Sequence, residues 1–219
     1  MKTTVAALLS LCLGAPLAAQ SRAPVPALDD DPSFALRPFF VLTGEKFAAK
    51  QTFGATFGQS FSPFFGGGLE LVLSERSGFY IDAGVSRFKK TGQRAFRANG
   101  QNFPLGIPLT VTITPLEFSV GYRFRTAPRV FPYVGLGVGS YGYKETSDFS
   151  DAGENLDTRH TGYLAVGGVE VRVHRLIGIA GDVQYTRVPG ILGNGGISKD
   201  AGENDLGGVT VRLRVTFGR

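Results

Sequence analysis

The chain holds one cysteine, Cys12, and two histidines, His160 and His174. Cys12 sits inside an apolar N-terminal run and leaves with it if that run is removed, so the remaining chain has no disulfides. Small secreted soluble domains usually need such staples. Long apolar runs are also missing. The run Val5 to Leu13 is too short to span a bilayer as a helix, and no later run approaches the roughly 20 apolar residues required. Any membrane insertion must therefore use strands. The sequence contains no nucleophile elbow, no clustered metal-ligand spacing and no phosphate loop, since Gly66-Gly67-Gly68 precedes a strand-like segment and not a helix.

What is present begins with an export signal. Lys2, then Val5 to Leu13, then Gly14 to Ala19 form the three regions of a secretory signal peptide. Cleavage is expected after Ala19 or Gln20, which makes 1–20 the signal. A lipoprotein reading of Leu9-Ser10-Leu11-Cys12 is disfavoured by bulky Leu11 where a small residue belongs. Residues 21–35 are rich in Pro and Asp without any period and read as a periplasmic tail, leaving 36–219 as one domain. The formal net charge of +5 does not point to nucleic acid, because the chain is exported and its positive charges are spread along the strands. A basic surface facing the phosphates of lipopolysaccharide is the more natural electrostatic reading.

From residue 36 onward the connections alternate between long polar loops and short turns. Strands are expected at 37–48, 63–74, 78–90, 109–124, 130–145, 160–174, 177–188 and 205–217. Period-2 alternation separates these segments from helices. In the last one Val209, Val211, Leu213, Val215 and Phe217 take one face, while Thr210, Arg212, Arg214 and Thr216 take the other. Within 109–124 the apolar parity flips at Pro115, and a β-bulge is expected there, because proline cannot donate to a ladder. Aromatic residues cluster at strand ends: Phe79, Tyr122, Phe124, Phe131 and Phe217 near the short turns, and Tyr141, Tyr143, Tyr163 and Tyr185 toward the long loops. The long loops are placed at 49–62, 91–108, 146–159 and 189–204. The fold class is thus all-β: an eight-stranded antiparallel up-and-down transmembrane barrel.

With its signal, eight dyad strands, alternating connections and segments such as Pro132-Tyr-Val-Gly-Leu-Gly-Val-Gly139 and Val120-Gly-Tyr-Arg-Phe124, the chain resembles the OmpA/OmpX-type family of small outer-membrane β-barrels. The resemblance implies a bacterial outer-membrane location, contact with outer-membrane lipids and lipopolysaccharide, and insertion by the barrel-assembly machinery. The family's assembly signal usually ends on an aromatic residue, whereas here Gly218 and Arg219 follow Phe217. No peptidoglycan-binding domain is expected beyond the last strand.

If the apolar parity faces lipid, the other parity sends Glu70, Asp82, Glu117, Arg123, Glu170, Arg172, Asp182, Arg212 and Arg214 into the lumen. Folding each hairpin about its turn sets Glu70 opposite Asp82 and Glu170 near Asp182. Like charges repel across a strand pair, so each pair needs a cation, and Arg212 and Arg214 on the closing strand are placed to supply it. An eight-stranded barrel is just wide enough to be filled by side chains. A salt-bridge plug is therefore expected, with a narrow gated ion path through the same residues as the alternative.

The pentapeptide Asp-Ala-Gly-Glu-Asn occurs at 151–155 and again at 200–204. With Asp148, Asp157 and Asp205 the two copies form an acidic rim of hard oxygen ligands, but the spacing is not that of an EF-hand, and solvated loops are the expectation. Lys89, Lys90, Arg94 and Arg97 face no acid between residues 83 and 116, and a solvated hairpin is expected there too. His160 with Ser147 or Ser150 and Asp157 could imitate a lipid-modifying triad, but such residues are common in loops. No catalytic residue, metal or cofactor is expected. The leading reading is a non-enzymatic barrel serving envelope integrity or surface contact through loops whose partner the sequence does not name. The alternatives are a narrow channel for small hydrophobic or ionic solutes and a soluble lipocalin-like carrier.

Overall fold

The computed structural model describes residues 34–73, 77–98, 101–147, 156–193 and 196–218. The expected signal, almost all of the N-terminal tail, Asp148, Ser150 and the first pentapeptide lie outside these residues. Eight strands run in chain order: β1 Ala35–Phe47, β2 Phe61–Val72, β3 Phe79–Ala98, β4 Gln101–Arg123, β5 Val130–Thr146, β6 Leu156–His174, β7 Ile177–Arg187 and β8 Gly208–Phe217. Each pairs antiparallel with its neighbours, and β8 returns to β1 to close the barrel. Closure removes both sheet edges, so each strand of the wall has a ladder partner on either side. Two helices, α1 Lys50–Phe57 and α2 Gly196–Asp200, lie in the connections β1–β2 and β7–β8.

Strand parity sorts the side chains as the dyad requires. Phe40, Phe65, Leu136, Tyr163 and Val211 are each at least 60% exposed, although they belong to the barrel wall. So large an exposed apolar belt suits a lipid environment and not water. Phe79 meets Tyr122 edge-on near the turn end, and Phe40 meets Phe217 there in the same manner, which supplies part of an aromatic girdle. Tyr163 and Tyr185 point outward, whereas Tyr141 and Tyr143 are buried inside the barrel.

Three expectations need correction. The span 91–108 is mostly not a loop: β3 and β4 continue as a paired ribbon to Ala98 and Gln101. Beyond Arg87 on β3 and before Thr110 on β4 the ribbon has no strand on either side, so it rises past the barrel wall. A register irregularity between Gln93 and Ala95 takes up extra residues of β4, including Gly106, whose φ of 71° favours glycine. Phe96 and Phe103 stack near the tip with ring centroids 5.3 Å apart.

The second correction concerns Pro115, where no bulge forms. The β3–β4 ladder omits Thr114 and Pro115 but keeps one register on both sides, since Val85 pairs with Leu116 and Phe88 with Ile113. The missing donor is accommodated by a gap in the ladder and not by an inserted residue. Leu109, Val111 and Ile113 therefore face inward and are buried, while Leu116, Phe118 and Val120 face outward. The apolar parity changes because the lumen itself is apolar at this level.

The third correction is α1 within the expected loop 49–62, which folds into the loop end of the barrel. Phe53 and Ala49 join Phe47, Phe64, Phe88, Val111, Ile113, Tyr141, Tyr143, Val188 and Leu206 in one buried cluster. Phe47 stacks on Phe53 with centroids 3.8 Å apart. Burying such aromatics stabilises the fold by roughly 1.5–3 kcal/mol per side chain. Replacing outward Val211 by Arg should cost about 2–4 kcal/mol, read from urea unfolding of the barrel in lipid vesicles. An equal loss in a detergent-free aqueous fold would contradict the lipid-facing assignment.

Candidate functional site

The inward parity at the turn end assembles a continuous ionic layer. Glu70 of β2 and Asp82 of β3 stand directly opposite each other. Arg214 of β8 answers both, at 2.6 Å from Asp82 and 3.6 Å from Glu70, and its guanidinium lies 4.2 Å from the Phe39 ring centroid. Arg123 of β4 reaches Glu70 at 3.2 Å and Glu170 at 3.0 Å. Asp182 accepts from Arg212 Nε and from the Tyr133 hydroxyl, both at 2.5 Å. Glu117 accepts from the Tyr141 hydroxyl at 2.6 Å and from Gln184 Nε2 at 2.9 Å, with Arg212 3.9 Å away. Arg172 sits at the turn-end rim, where its guanidinium and that of Arg123 lie about 5 Å from the Phe131 ring centroid, at 5.0 and 5.2 Å.

The residue at the centre of this layer is one that the strand pattern did not reveal. Arg37 of β1 is 0% exposed. It donates to Glu70 Oε1 at 2.7 Å, to Glu170 Oε1 at 2.5 Å and to the Thr216 hydroxyl at 2.7 Å. Gly178 makes this possible, because a Cβ there would sit 2.5 Å from both the Glu170 carboxylate and Thr216 Oγ1. One signal could have found Arg37: five inward acids against four bases left the lumen a cation short. Parity gave no help, because adjacent Phe39 and Phe40 hide the alternation at the start of β1.

Glu170 also departs from expectation. On the β6–β7 ladder it pairs with Ala180, two residues from Asp182, and Asp182 faces Gly168. Its partners are Arg37 and Arg123, from β1 and β4, and not the arginines of β8. Each of the five expected acids nevertheless has an arginine within 4 Å. Such pairing is required where charges leave water, since an isolated buried carboxylate is very costly.

Above the ionic layer lies a cavity of about 50 Å³, bordered by Thr43, Glu45, Glu117, Gln184, Thr210 and Arg212. Glu45, a further inward acid, was not foreseen. Above the cavity comes the apolar cluster that contains α1. The lumen is thus layered from turn end to loop end as ionic, polar and apolar.

The remaining candidates do not converge. Asp157 and His160 lie on opposite parities of β6; Asp157 pairs with Lys144 at 3.1 Å, and Ser147 donates to the Pro108 carbonyl at 2.7 Å. Among the described residues no group of three or more His, Cys, Asp or Glu side chains could hold a metal ion. Asp205 accepts from the Val188 and Gly207 N–H groups at 2.7 and 2.9 Å, so this rim acid organises its own loop. Lys90 turns inward, its ammonium 5.2 Å from the Phe57 ring centroid.

Arg37→Ala should destabilise the barrel by about 3–5 kcal/mol, because Glu70 and Glu170 lose a shared buried cation. Lys144→Ala, which breaks the exposed ion pair with Asp157, should cost less than about 1 kcal/mol. Urea unfolding in lipid vesicles compares the two, and equal losses would contradict the ranking. The double variant Arg212→Ala, Arg214→Ala should likewise lose heat resistance on unboiled gels.

Comparison with known proteins agrees with this architecture. No curated protein matches the sequence. Among solved structures, Neisserial surface protein A (NspA) superposes with a TM-score of 0.51 at 10% identity, covering 85% of this chain and 97% of that one. A major outer membrane protein from Thermus thermophilus superposes with a TM-score of 0.50 at 13% identity, covering 84% and 99%. These likenesses concern the fold. The family model of the outer membrane protein beta-barrel domain matches residues 4–217, and the chain, with its closed eight-stranded wall and lipid-type exterior, belongs to that family.

Proposed function

We propose that this outer-membrane barrel works as a closed body, serving envelope integrity or surface contact through its loop end and not solute passage. One observation carries the reading: the lumen is occupied along its length, by ion pairs at the turn end and by apolar side chains with α1 at the loop end. The intervening cavity of about 50 Å³ has room for a few waters only. In this reading residues 1–20 direct export and are removed, the barrel-assembly machinery inserts the chain, and the short turns face the periplasm. The β3–β4 ribbon then projects from the cell, with exposed Lys89 at its base able to meet the phosphates of lipopolysaccharide.

A second reading, a narrow channel for small solutes, is favoured by the polar lining of the cavity, where Glu45, Glu117 and Arg212 meet midway through the barrel. Planar-bilayer recording separates the two. The closed barrel should show no stable conductance steps. Stable openings that vanish in Glu117→Gln or change size in Arg212→Ala would establish the channel instead.

A further inference from the structure

Helix α1 is held in the barrel by an unusual arrangement. Its N-cap residue, Ala49, offers no side-chain cap. The missing acceptor comes from the far end of the chain: Glu203, in the connection between α2 and β8, accepts from Gln51 N–H at 2.9 Å, Thr52 N–H at 2.8 Å and the Thr52 hydroxyl at 2.8 Å. The carboxylate thus satisfies two of the donors that a helix start leaves open and places a negative charge at the positive end of the helix dipole. Glu203 belongs to the second Asp-Ala-Gly-Glu-Asn pentapeptide, whose acids had no role legible in the sequence.

Aromatic contacts add to the hold on α1, with the Lys90 ammonium over the Phe57 ring. Phe53 stacks on Phe47, and Phe57 meets Phe88 edge-on with centroids 6.0 Å apart. Phe47 in turn packs against Phe64, which borders the polar cavity together with Tyr141. A thin aromatic layer therefore separates solvent at the loop end from a cavity whose lining is carboxylate, amide, hydroxyl and guanidinium. Helix α1, 8 residues long and carrying Phe53 and Phe57, is a separable piece, since no strand ladder includes it. The ionic layer beneath spans β1, β2, β3, β4, β6, β7 and β8 and has no such separable part.

We propose that α1 is a latched stopper, held over the polar cavity by Glu203, and that releasing this latch opens the cavity to solvent from the loop end alone. The turn-end ion pairs stay closed, so the opened barrel is a one-sided vestibule and still does not conduct. Conductance and latch release are therefore separate measurements, and either reading can fail without the other.

The test uses the full chain with Cys12→Ser and a reporter Thr43→Cys, a buried position that lines the cavity. The folded barrel in lipid vesicles is treated with a charged, membrane-impermeant methanethiosulfonate, and amide hydrogen exchange is followed in parallel without the reporter. Glu203→Ala should speed both labelling and exchange of the α1 amides by about tenfold, leaving the β1 and β8 amides unchanged. Asn204→Ala, beside it and exposed, should change neither. Unaltered labelling and α1 exchange in Glu203→Ala would overturn the latch. Equal acceleration in α1 and in the strands would overturn it as well, since that is loosening of the whole barrel.

Discussion

The guanidinium of Arg37 is the contact on which the interior of this barrel depends. From β1 it reaches Glu70 on β2, Glu170 on β6 and Thr216 on β8, so one side chain ties four strands across the lumen. The constraint behind it is geometric: eight strands enclose space for side chains and little else. Charges that the dyad sends inward cannot find bulk water there and must find each other. Arg123 and Arg214 complete the arrangement, so that Glu70 is shared by Arg37, Arg123 and Arg214, and Glu170 by Arg37 and Arg123.

Toward the loop end the same wall solves a different problem. Phe47, Phe64, Phe88, Leu109, Val111 and Ile113 all point inward, and an apolar face without a partner would line a wet hole. The chain covers that face by folding α1 back into the barrel. Phe53 and Phe57 supply the apolar surface, and Glu203 supplies the hydrogen-bond acceptor that the helix start lacks. Ionic and apolar filling therefore meet at the level of Glu45 and Glu117, where the cavity remains because neither kind of packing reaches completely across.

With the middle closed, the additions to the plain barrel lie at the loop end. The β3–β4 ribbon stands beyond the wall with its stacked Phe96 and Phe103, and α1 packs within the mouth rather than outside it. A sheet closed on itself can carry such additions cheaply, because they disturb no ladder hydrogen bond in the lipid-facing wall. The structural neighbours share that wall at low identity, as expected when the lipid and the dyad set most of the requirements.

Strand number, antiparallel order and the lipid-facing positions were legible in the sequence, because period-2 alternation and alternating connection lengths are local properties; Val209 to Phe217 carry them without reference to any other strand. The inward placement of Glu70, Asp82 and Arg214 followed from the same parity. Which charges meet did not. Glu170 is joined to Arg37 and Arg123 across the lumen, through strands that are not its ladder neighbours. Leu109, Val111 and Ile113 read as lipid-facing until α1 gave them an interior to pack against. Parity is set within a strand by backbone geometry, whereas partners across a lumen, and the polarity of that lumen at each level, exist only once the sheet has closed.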